Sequence, residues 1–451
     1  MKTVITYGTF DLFHEGHYNL LKRAKELGDR LIVGVTTEHF DEARGKVNVI
    51  DPIMKRIENV KNTGFADEII IEDHEGQKIE DIQKYGADIF TVGSDWVGHF
   101  DYLKPFCEVV YLPRTPEISS TKIRSGKFKV IRIGIIGTGR VAPRFLYEAN
   151  YVSGVNVDCA FNPDAESAGA FHKKTGLKVY ADFDQFLKKV DAVYIASPHE
   201  THYLYAKSAM EAGKSVLCEK PMTFSRAAAE ELYALAEEKG VVLMEAVKTA
   251  YCPGFQQLLT VAESGKIGEI CDVEAAFTRL ADPASREVTD SEYGGSFLEY
   301  GSYPLLPIIK LLGTEYEDVH IDSLPSANGN DAYTKIQIRY ANAMATAKTG
   351  TGVKSEGQLV ISGTKGYILA PSPWWLTKYF EIRYEDATKI ESYHPNFMGD
   401  GLRYEISQFM LKINGVDTRG YRLTAQESIA MADITERFMA QREGSLSIAE
   451  D

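Results

Sequence analysis

The chain has 451 residues, a formal net charge of −14 and 44% apolar residues. A chain of that length is too long to fold around one hydrophobic core, and it predicts about three domains. No apolar run approaches the roughly 18 to 20 residues of a membrane-spanning helix, so we expect no membrane span. The acidic balance disfavours nonspecific binding to nucleic acid, which needs a basic face. Five scattered cysteines without a CxxC pair are typical of thiols in a reducing cytoplasm, where we expect the protein.

Short apolar strands alternate with helical segments along the first part of the chain. This alternation is typical of an α/β fold with a doubly wound parallel sheet. The predicted strands are Thr3–Tyr7, Arg30–Thr36, Glu68–Glu72, Ile89–Val92 and Glu108–Leu112, and the clearest predicted helices are Gly16–Leu27 and Ile53–Asn62.

A second alternation of strands and helices starts at Ile131–Ile136 and predicts a Rossmann domain. From about Val273 the chain changes to long alternating stretches, which predict an α+β region with a mostly antiparallel sheet. A last helix is predicted at Thr424–Gln441. The predicted domains are residues 1–128, 129–248 and 249–451.

Two histidines follow the first predicted strand, in the segment His14-Glu15-Gly16-His17. A zinc-binding helix of the HExxH type spaces its histidines four residues apart, so this pair does not fit it, and we predict no protein metal site. Ligands of doubly wound sheets bind at the carboxyl ends of the strands, and a helix N-terminus attracts phosphate. The position of the pair therefore favours phosphate chemistry.

The first 128 residues contain four segments in this order: YGTFDLFHEGH, LLKRAKELGD, VGSDWVGHFDYLK and CEVVYLPRTPEISSTKIR. They resemble the HxGH nucleotidyltransferases, and more narrowly the glycerol-3-phosphate cytidylyltransferases. The resemblance implies transfer of CMP from CTP to a polyol phosphate, with Mg²⁺ and with release of pyrophosphate. A phosphate monoester has a second pKa of about 6, so the nucleophile is already ionised at neutral pH. Alignment and charge neutralisation are then the remaining tasks of the protein.

The same resemblance implies roles for individual residues. Lys46 and Trp96 would contact the acceptor, and for Trp96 a place in the core is an equal alternative. The catalytic residues would be His14, His17, Lys46 and Arg56. The CTP contacts would be Thr9, Phe10, Asp11, His14, His17, Asp95, Arg114, Thr115, Ser119, Ser120 and Thr121.

One departure from the family leaves the acceptor open. Gly64 stands where the family usually has a basic residue that contacts phosphate. Glycerol 3-phosphate is the first choice of acceptor, and glycerol 2-phosphate and ribitol 5-phosphate are the alternatives.

The segment IGIIGTGRVA places Gly137-x-Gly139-x-x-Ala142 between a predicted strand and a predicted helix. That context is what a dinucleotide-binding loop requires, because the glycines allow a tight turn and close approach of a pyrophosphate. Further along, IASPHETHYLYAKSAMEAGKSVLCEKPMT, which contains Glu219-Lys220-Pro221, resembles the Gfo/Idh/MocA oxidoreductases. The resemblance extends from about Ile131 to the C-terminus.

This second resemblance implies an NAD(P)-dependent enzyme with Lys220 beside the nicotinamide, where a lysine can polarise a carbonyl or protonate an alkoxide. The segment GGSFLEYGSYPLLPIIKLLG resembles the family helix that carries the catalytic acid, at the positions of Glu299, Gly301 and Tyr303. Tyr303 would be the proton donor, as in the dihydrodiol-dehydrogenase-like branch. The cofactor contacts would be Gly137, Thr138, Gly139, Arg140, Val141, Asn162, Ser197, Pro198, His202, Glu219, Lys220 and Pro221.

For two of these residues the sequence gives more specific expectations. His202 is expected to cap or pack near the cofactor rather than to react. Asn162 stands where NAD enzymes usually have an acidic residue for the ribose diol, and no arginine follows it for a 2′-phosphate. The missing carboxylate favours NADP slightly, with NAD as the alternative.

The two resemblances together predict a bifunctional enzyme, a cytidylyltransferase fused to an oxidoreductase. Its second part would reduce a keto-sugar phosphate, and its first part would activate the resulting polyol phosphate as a CDP-alcohol for teichoic-acid-like or capsular polymers. The oxidoreductase acting on the CDP-polyol or on an unrelated sugar is one alternative. One half serving as a non-catalytic nucleotide-binding scaffold is another. Both families commonly oligomerise, which implies a dimer or tetramer.

Overall fold

A computed structural model describes residues 1–43, 46, 49–74, 76–113, 129–415 and 423–449, with the backbone alone at residues 39, 43 and 443–449. No helix in these ranges is both long and apolar enough to cross a membrane.

The first sheet is parallel and is buried on both faces. Val4 and Ile5 point to opposite faces of its central strand, and neither is exposed to solvent, as expected for a parallel sheet covered by helices. Its strands are β1 (Thr3–Gly8), β2 (Arg30–Thr36), β3 (Glu68–Glu72), β4 (Ile89–Gly93) and β5 (Glu108–Leu112). The accompanying helices are α1 (Glu15–Glu26), α2 (Glu38–Ala43), α3 (Ile53–Asn62) and α4 (Gln77–Tyr85).

The strand order of this sheet is β3-β2-β1-β4-β5 within the described ranges. β1 pairs in parallel with both β2 and β4, so the order reverses beside β1. Such a reversal opens a crevice at the carboxyl ends of the strands, which is where ligands bind. The residues that follow β1 and β4 are therefore placed to form a site.

The second sheet has the strand order β11-β10-β9-β6-β7-β8 over the described residues. This is the order of dinucleotide-binding folds, with its reversal between β6 and β9. The strands are β6 (Ile131–Ile136), β7 (Val155–Phe161), β8 (Lys178–Tyr180), β9 (Ala192–Ile195), β10 (Ser215–Glu219) and β11 (Leu243–Ala246). The helices are α5 (Ala142–Ala149), α6 (Ala165–Thr175), α7 (Phe183–Leu187), α8 (His202–Glu211) and α9 (Arg226–Lys239).

The third sheet is antiparallel except for the parallel pair of its central strands, β12 (Ile270–Thr278) and β15 (Met344–Gly350). Its other strands are β13 (Asp318–Pro325), β14 (Asp331–Arg339), β16 (Leu359–Gly363), β17 (Gly366–Ala370), β18 (Phe380–Tyr384) and β19 (Ile390–Tyr393). The helices of this region are α10 (Pro253–Glu263), α11 (Arg286–Thr289), α12 (Ser296–Tyr300), α13 (Ser302–Leu312), α14 (Leu402–Ile413) and α15 (Ala425–Ala449). The apolar α13 packs on β12 and β15.

The fold class expected from the sequence is confirmed: two doubly wound α/β regions precede a mostly antiparallel sheet. The helix predicted after the glycine-rich segment begins at Ala142, because residues 137–141 form the bend after β6. The chain divides into two compact units, one formed by residues 1–133, 143–158 and 170–177 and the other by residues 134–142, 159–169 and 178–451. The three domain boundaries drawn from the sequence stay a prediction.

Candidate active sites

The loop between β1 and α1 is held in an unusual backbone conformation. Phe10 and Leu12 have φ angles of +52° and +45°, a left-handed region that non-glycine residues rarely adopt. Both side chains are buried. The carboxylate of Asp11 accepts hydrogen bonds from the backbone N–H groups of Ile50 and Asp51, at 2.9 and 2.7 Å. Asp11 therefore ties this loop to the segment before α3, and both of its oxygens are used for that purpose.

His14 and His17 lie together at the start of α1. His14 is the N-cap, and its Nδ1 accepts from the N–H of Gly16 at 3.0 Å. Nδ1 of His17 accepts from the N–H of His14 at 3.4 Å, and the two rings stack with centroids 3.9 Å apart. Because each Nδ1 is an acceptor, these bonds assign the proton of each neutral ring to Nε2. The pair is thus preorganised as two Nε2–H donors at a helix N-terminus.

The environment of His17 favours the uncharged ring. Burial holds the pKa of His17 well below its ordinary value, and the neighbouring His14 and Lys46 lower it further. Phe10 and Phe13 enclose the same ring, each with a centroid distance of 5.5 Å. A neutral imidazole at this position donates a hydrogen bond without bringing a full charge into the site.

Arg56 is fully buried, and its guanidinium is bonded to backbone carbonyls. Its Nη1 donates to the carbonyl oxygens of Thr9 and Thr36 at 2.8 and 2.7 Å, and its Nε donates to that of Asp51 at 2.8 Å. The side chain of Asp41 lies 3.7 Å from Nη1. In this arrangement Arg56 joins the carboxyl ends of β1 and β2 to α3, so its direct effect is on the shape of the loop.

The other predicted residues of this first site that the structure describes lie in the segments after β1, α2 and β4. The hydroxyl of Thr9 donates to Asp41 at 2.9 Å. Lys46 is half-buried, and its backbone N–H donates to the carbonyl of Asp41 at 2.8 Å. Asp95 and Trp96 lie in the short turn after β4, where Asp95 is exposed and Trp96 is half-buried. Arg114, Thr115, Ser119, Ser120 and Thr121 lie outside the described residues.

This sheet edge also has a buried lysine that the sequence does not indicate. Lys78, in the first turn of α4, forms an ion pair with Glu72 at the end of β3, and both side chains are buried. Its ammonium lies 4.7 Å from the ring centroid of Tyr7, near the end of β1. The hydroxyl of Tyr7 donates to Asp81 at 2.9 Å. The available signal was a lone lysine in an ordinary amphipathic helix, which does not distinguish a buried cation from a surface one.

The glycine-rich loop after β6 has the shape that a dinucleotide requires. Gly137 has a φ of +92°, and a Cβ there would lie 2.6 Å from the carbonyl oxygen of Ala196, so only glycine fits. A Cβ on Gly139 would meet no atom within 4 Å, which leaves open space above the loop. The amide of Asn162 donates to the hydroxyl of Thr138 at 2.6 Å. Val141 lies in the bend just before α5.

The turn after β9 is joined to the turn after β10 by His202. This histidine is fully buried, and its Nε2 and Nδ1 each lie 2.9 Å from a carbonyl oxygen, of Ser197 and of Pro221. Burial lowers the pKa of His202. Pro198 caps the short turn His199–Thr201, and the hydroxyls of Ser197 and Thr201 are 2.7 Å apart. His202 thus packs between two loops of the site, and its neutral ring donates its one N–H to one of the two carbonyls.

Lys220 and Tyr303 meet at the carboxyl end of β10. The Lys220 side chain is 8% exposed, and its ammonium donates to the backbone carbonyl of Glu299 at 2.6 Å. The same ammonium lies 5.7 Å from the ring centroid of Tyr303. The structure therefore brings together the lysine and the tyrosine that the sequence analysis singled out 83 residues apart.

Acidic side chains from the third region reach the glycine-rich loop. Arg140 donates to the carboxylate of Glu287 at 2.9 Å and lies 3.5 Å from that of Glu299. The other oxygen of Glu299 lies 3.7 Å from Nε2 of His199. Burial and the nearby Lys220 hold the pKa of His199 well below its ordinary value. Glu299 therefore lies between a cation and a neutral imidazole.

An aromatic wall stands beside Lys220. Phe277, at the end of β12, stacks on Tyr300 and Tyr303 at centroid distances of 4.6 and 4.8 Å, and the indole of Trp375 lies 3.9 Å away. Trp375 belongs to the turn between β17 and β18. The sequence alone does not reveal this wall, because its rings come from three separate segments and only the tertiary fold brings them together.

Comparisons with known proteins divide the chain at the same place as its motifs. The sequence profile described as cytidylyltransferase-like matches residues 5–126. The profile of the oxidoreductase family with an NAD-binding Rossmann fold matches residues 131–247, and that of the GFO/IDH/MocA C-terminal domain matches residues 255–369. The glycerol-3-phosphate cytidylyltransferase of Bacillus spizizenii is 50% identical over 124 residues, which are 28% of this chain and 95% of that protein. The chain belongs to both families.

The oxidoreductase part is more distant from its relatives. The scyllo-inositol 2-dehydrogenase (NADP(+)) IolU of Bacillus subtilis is 28% identical over 323 residues, covering 69% of this chain and 97% of that protein. The solved structure of KijD10, a 3-ketoreductase from Actinomadura kijaniata in complex with NADP and TDP-benzene, superposes with a TM-score of 0.60 at 24% identity. It covers 68% of this chain and 96% of that one, and it shows the shared fold.

The protein is therefore an enzyme with two parts, a cytidylyltransferase followed by an NAD(P)-dependent oxidoreductase. Among the residues that the structure describes, no group of three or more His, Cys, Asp or Glu side chains could hold a metal ion.

Proposed function

We propose that the cytidylyltransferase part transfers CMP from CTP to glycerol 3-phosphate. The 50% identity to an enzyme named for that acceptor is the observation that carries the proposal. A phosphate oxygen of the acceptor forms a bond to the α-phosphorus of CTP, and the bond from that phosphorus to the β-phosphate oxygen breaks. The products are CDP-glycerol and pyrophosphate. No proton has to move, because the nucleophile is already ionised.

The stacked His14 and His17 would donate their Nε2–H bonds to α-phosphate oxygens, where negative charge accumulates. Lys46 would neutralise phosphate charge, and the buried Lys78 is our added candidate for the acceptor phosphate. Arg56 would act by holding the loop of Thr9 through backbone carbonyls. The five predicted contacts from Arg114 to Thr121 keep the roles implied by the family resemblance.

We propose that Mg²⁺ enters with CTP as part of the substrate. The side-chain oxygens of Asp11 are used by two backbone N–H groups, and Asp95 is exposed in a loop. A triphosphate carries its own oxygen ligands for Mg²⁺, which commonly keeps several waters and few protein ligands.

For the oxidoreductase part we propose reduction of a keto-sugar phosphate, such as dihydroxyacetone phosphate or ribulose 5-phosphate, to the corresponding polyol phosphate. The open space at Gly139 fits the pyrophosphate of a dinucleotide, and NAD(P)H would supply the hydride that reduces the carbonyl carbon. Lys220 would hold the carbonyl oxygen, and Tyr303 would give that oxygen its proton. One hydride and one proton are thereby added across the C=O bond.

The polarity of Asn162 supports NADP(H) over NAD(H). A neutral amide does not repel a 2′-phosphate, whereas a carboxylate at the same position would. The amide already donates to Thr138 within the loop, which keeps it at the rim of the cofactor site.

The two activities would be consecutive, with the polyol phosphate made by one part used by the other. The CDP-alcohol would then serve teichoic-acid-like or capsular polymer synthesis in the cytoplasm. We also propose a dimer or tetramer, to be measured by light scattering of the purified chain.

Pyrophosphate release tests the first activity. The purified chain is given CTP and Mg²⁺ with glycerol 3-phosphate, glycerol 2-phosphate or ribitol 5-phosphate in parallel. We expect the fastest release with glycerol 3-phosphate. Release with another acceptor only would make Gly64 a mark of changed specificity, and no release with any acceptor would refute the catalytic role of this part.

Oxidation of NADPH and NADH tests the second activity. Dihydroxyacetone phosphate and ribulose 5-phosphate are compared with their unphosphorylated forms, and the CDP-alcohol is tested in the oxidative direction with NADP⁺. We expect turnover of a phosphorylated ketose. Turnover of the CDP-linked alcohol alone would contradict the proposed order of the two steps.

A further inference from the structure

Tyr194 makes a partly buried contact with the residue that precedes Lys220. It lies in β9 with a side chain that is 0% exposed. Its hydroxyl donates to Oε1 of Glu219 at 2.5 Å. β9 and β10 are neighbouring parallel strands, with Ile195 opposite Cys218, so Tyr194 reaches Glu219 along the strand direction toward the carboxyl edge. The bond thus joins the carboxyl-terminal parts of β9 and β10, the two strands that precede the turns of the oxidoreductase site.

Glu219 is surrounded by charged and titratable groups from several elements. Lys220 and Lys248, which follows β11, are its cationic neighbours, and Glu245 in β11 is an acidic one. Glu405 in α14 and Tyr303 in α13 face the hydroxyl of Tyr194. Burial raises the pKa of Glu219, while Lys220, the bond from Tyr194 and Lys248 oppose that rise.

A purely structural role for Tyr194 would need only its ring. A buried hydroxyl must find an acceptor, and any nearby carbonyl would satisfy it. Here the acceptor is a carboxylate, and such charge-assisted bonds are stronger than neutral ones. Lys220 lowers the pKa of Glu219 electrostatically, so the charge of Glu219 in turn stabilises the ammonium that would hold the substrate carbonyl.

We propose that Tyr194 is a positioning residue of the oxidoreductase, which keeps the Glu219 carboxylate ionised and fixed as the counter-charge of the Lys220 ammonium. The proposal rests on the reduction by Lys220 described above. Loss of the hydroxyl removes a donor from a half-buried carboxylate, which raises the pKa of Glu219 further. Glu219 then becomes neutral at a higher pH, and Lys220 loses its anionic neighbour there.

The pH profile of kcat/KM for ketose reduction tests this proposal in the full chain. If the ionised form of Glu219 is required, activity falls as the pH drops through the pKa of Glu219. Tyr194→Phe keeps the ring and should move the acidic limb to higher pH by about one unit, which is the size expected for one charge-assisted hydrogen bond. Tyr205→Phe is the matched control, since Tyr205 packs on Phe161 and Phe183 in the same Rossmann core. Its profile should coincide with that of the wild type.

A double-mutant cycle separates positioning from packing. In a Glu219→Gln background there is no carboxylate for Tyr194 to hold, so adding Tyr194→Phe should change kcat/KM less than twofold. A profile of Tyr194→Phe that coincides with the wild type would overturn the proposal. So would an equal loss at every pH that persists in the Glu219→Gln background, because that would be a packing effect.

One measurement does not depend on turnover. Infrared difference spectra between acid and neutral pH report protonated carboxylic acids, and the band lost in Glu219→Gln belongs to Glu219. Tyr194→Phe should move the titration of that band to higher pH. If the wild type reduces no ketose, the proposed function fails while this titration still decides the role of Tyr194. An unmoved band would refute it.

Discussion

The two candidate sites lie at the same kind of place and are built from different chemistry. Each lies at the carboxyl edge of a parallel sheet, beside the point where the strand order reverses. In the candidate cytidylyltransferase site, the proposed donors are two stacked imidazoles, and burial favours the uncharged form of His17. In the candidate oxidoreductase site, the proposed central residue is Lys220, which follows Glu219 in the sequence and donates from its ammonium to the carbonyl of Glu299.

The difference follows from what each reaction asks of the protein. Phosphoryl transfer needs donors that stay in place while charge moves between oxygens, and no proton is exchanged. Reduction of a carbonyl needs a proton source beside a developing alkoxide. Fixed neutral donors suit the first task, and a charged network suits the second. Variants of each site test this contrast.

The largest effect is expected at Lys220. Lys220→Met keeps most of the side-chain volume and removes the charged donor that would hold the carbonyl oxygen, so ketose reduction should fall about 10³-fold, the upper range for the loss of one oxyanion donor. Pyrophosphate release should stay within twofold of the wild type. Lys239→Met, in the last turn of α9, is the control and should leave both activities unchanged. If Lys220→Met reduces both activities equally, the two sites are not independent.

His17→Ala should affect the other activity only. It removes one donor from the α-phosphate, so kcat for pyrophosphate release should drop about 10² to 10³-fold, as for the loss of one oxyanion donor. NADPH oxidation should be unchanged. The control is His320→Ala, an exposed histidine in β13. Retained pyrophosphate release in His17→Ala would mean that the His17 donor is not needed for catalysis, and the contrast between fixed neutral donors and a charged network would fail at this residue.

The sequence alone was sufficient to predict the strands and helices that position these sites. Hydrophobic alternation placed β2, β3, β5 and α3 at the bounds that the structure has. It also identified the antiparallel character of the last region. These features depend on local periodicity, which is visible in one chain.

The contacts between distant segments were not accessible in the same way. Arg140 and Glu287 are 147 residues apart, and Lys220 and Glu299 are 79 residues apart. Each contact depends on how the helices of the third region pack against the second sheet. The sequence motif identifies Lys220 as a candidate. The acceptor of its hydrogen bond is the backbone carbonyl of residue 299, which any residue at that position would provide, so the sequence does not indicate this contact.

The burial of ionisable side chains could not be predicted from the sequence either. The sequence gives no sign that Arg56 is fully enclosed or that Lys78 pairs with Glu72 inside the first region. Glutamate is common on surfaces, so Glu245 in β11 reads as an ordinary polar residue. Its burial follows from α15, because Ser428 of that helix donates to its carboxylate.

A substitution of Glu245 should have an effect of intermediate size, and the quantity that changes is the free energy of unfolding. Burial raises the pKa of Glu245 to about 7, whereas an unfolded glutamate titrates at about 4.3. Between these values the folded state holds a proton that the unfolded state has released, so this group makes the wild type less stable as the pH rises. Glu245→Gln does not titrate and should gain up to about 4 kcal/mol over the wild type above pH 7.

Urea unfolding at pH 5 and pH 8 measures this difference. The advantage of Glu245→Gln should be small at pH 5 and largest at pH 8, and the exposed Glu237→Gln should show no such trend. An advantage that is equal at both values would mean that Glu245 is ionised throughout. The charged network of the oxidoreductase would then extend deeper than its active site.

The smallest effect is expected at Asn162, and it tests whether charge also sets cofactor choice in the oxidoreductase. Asn162→Asp places a carboxylate where the ribose of the dinucleotide would bind, so the preference for NADPH over NADH should fall roughly tenfold, equivalent to about 1.4 kcal/mol. Asn162→Ser is the matched control, because it also removes the amide that donates to Thr138 but adds no charge. Ratios of kcat/KM for the two cofactors measure the effect. If the serine variant shifts the ratio as far as the aspartate variant, the loop hydrogen bond sets the preference. Charge would then decide how Lys220 works without deciding which dinucleotide binds.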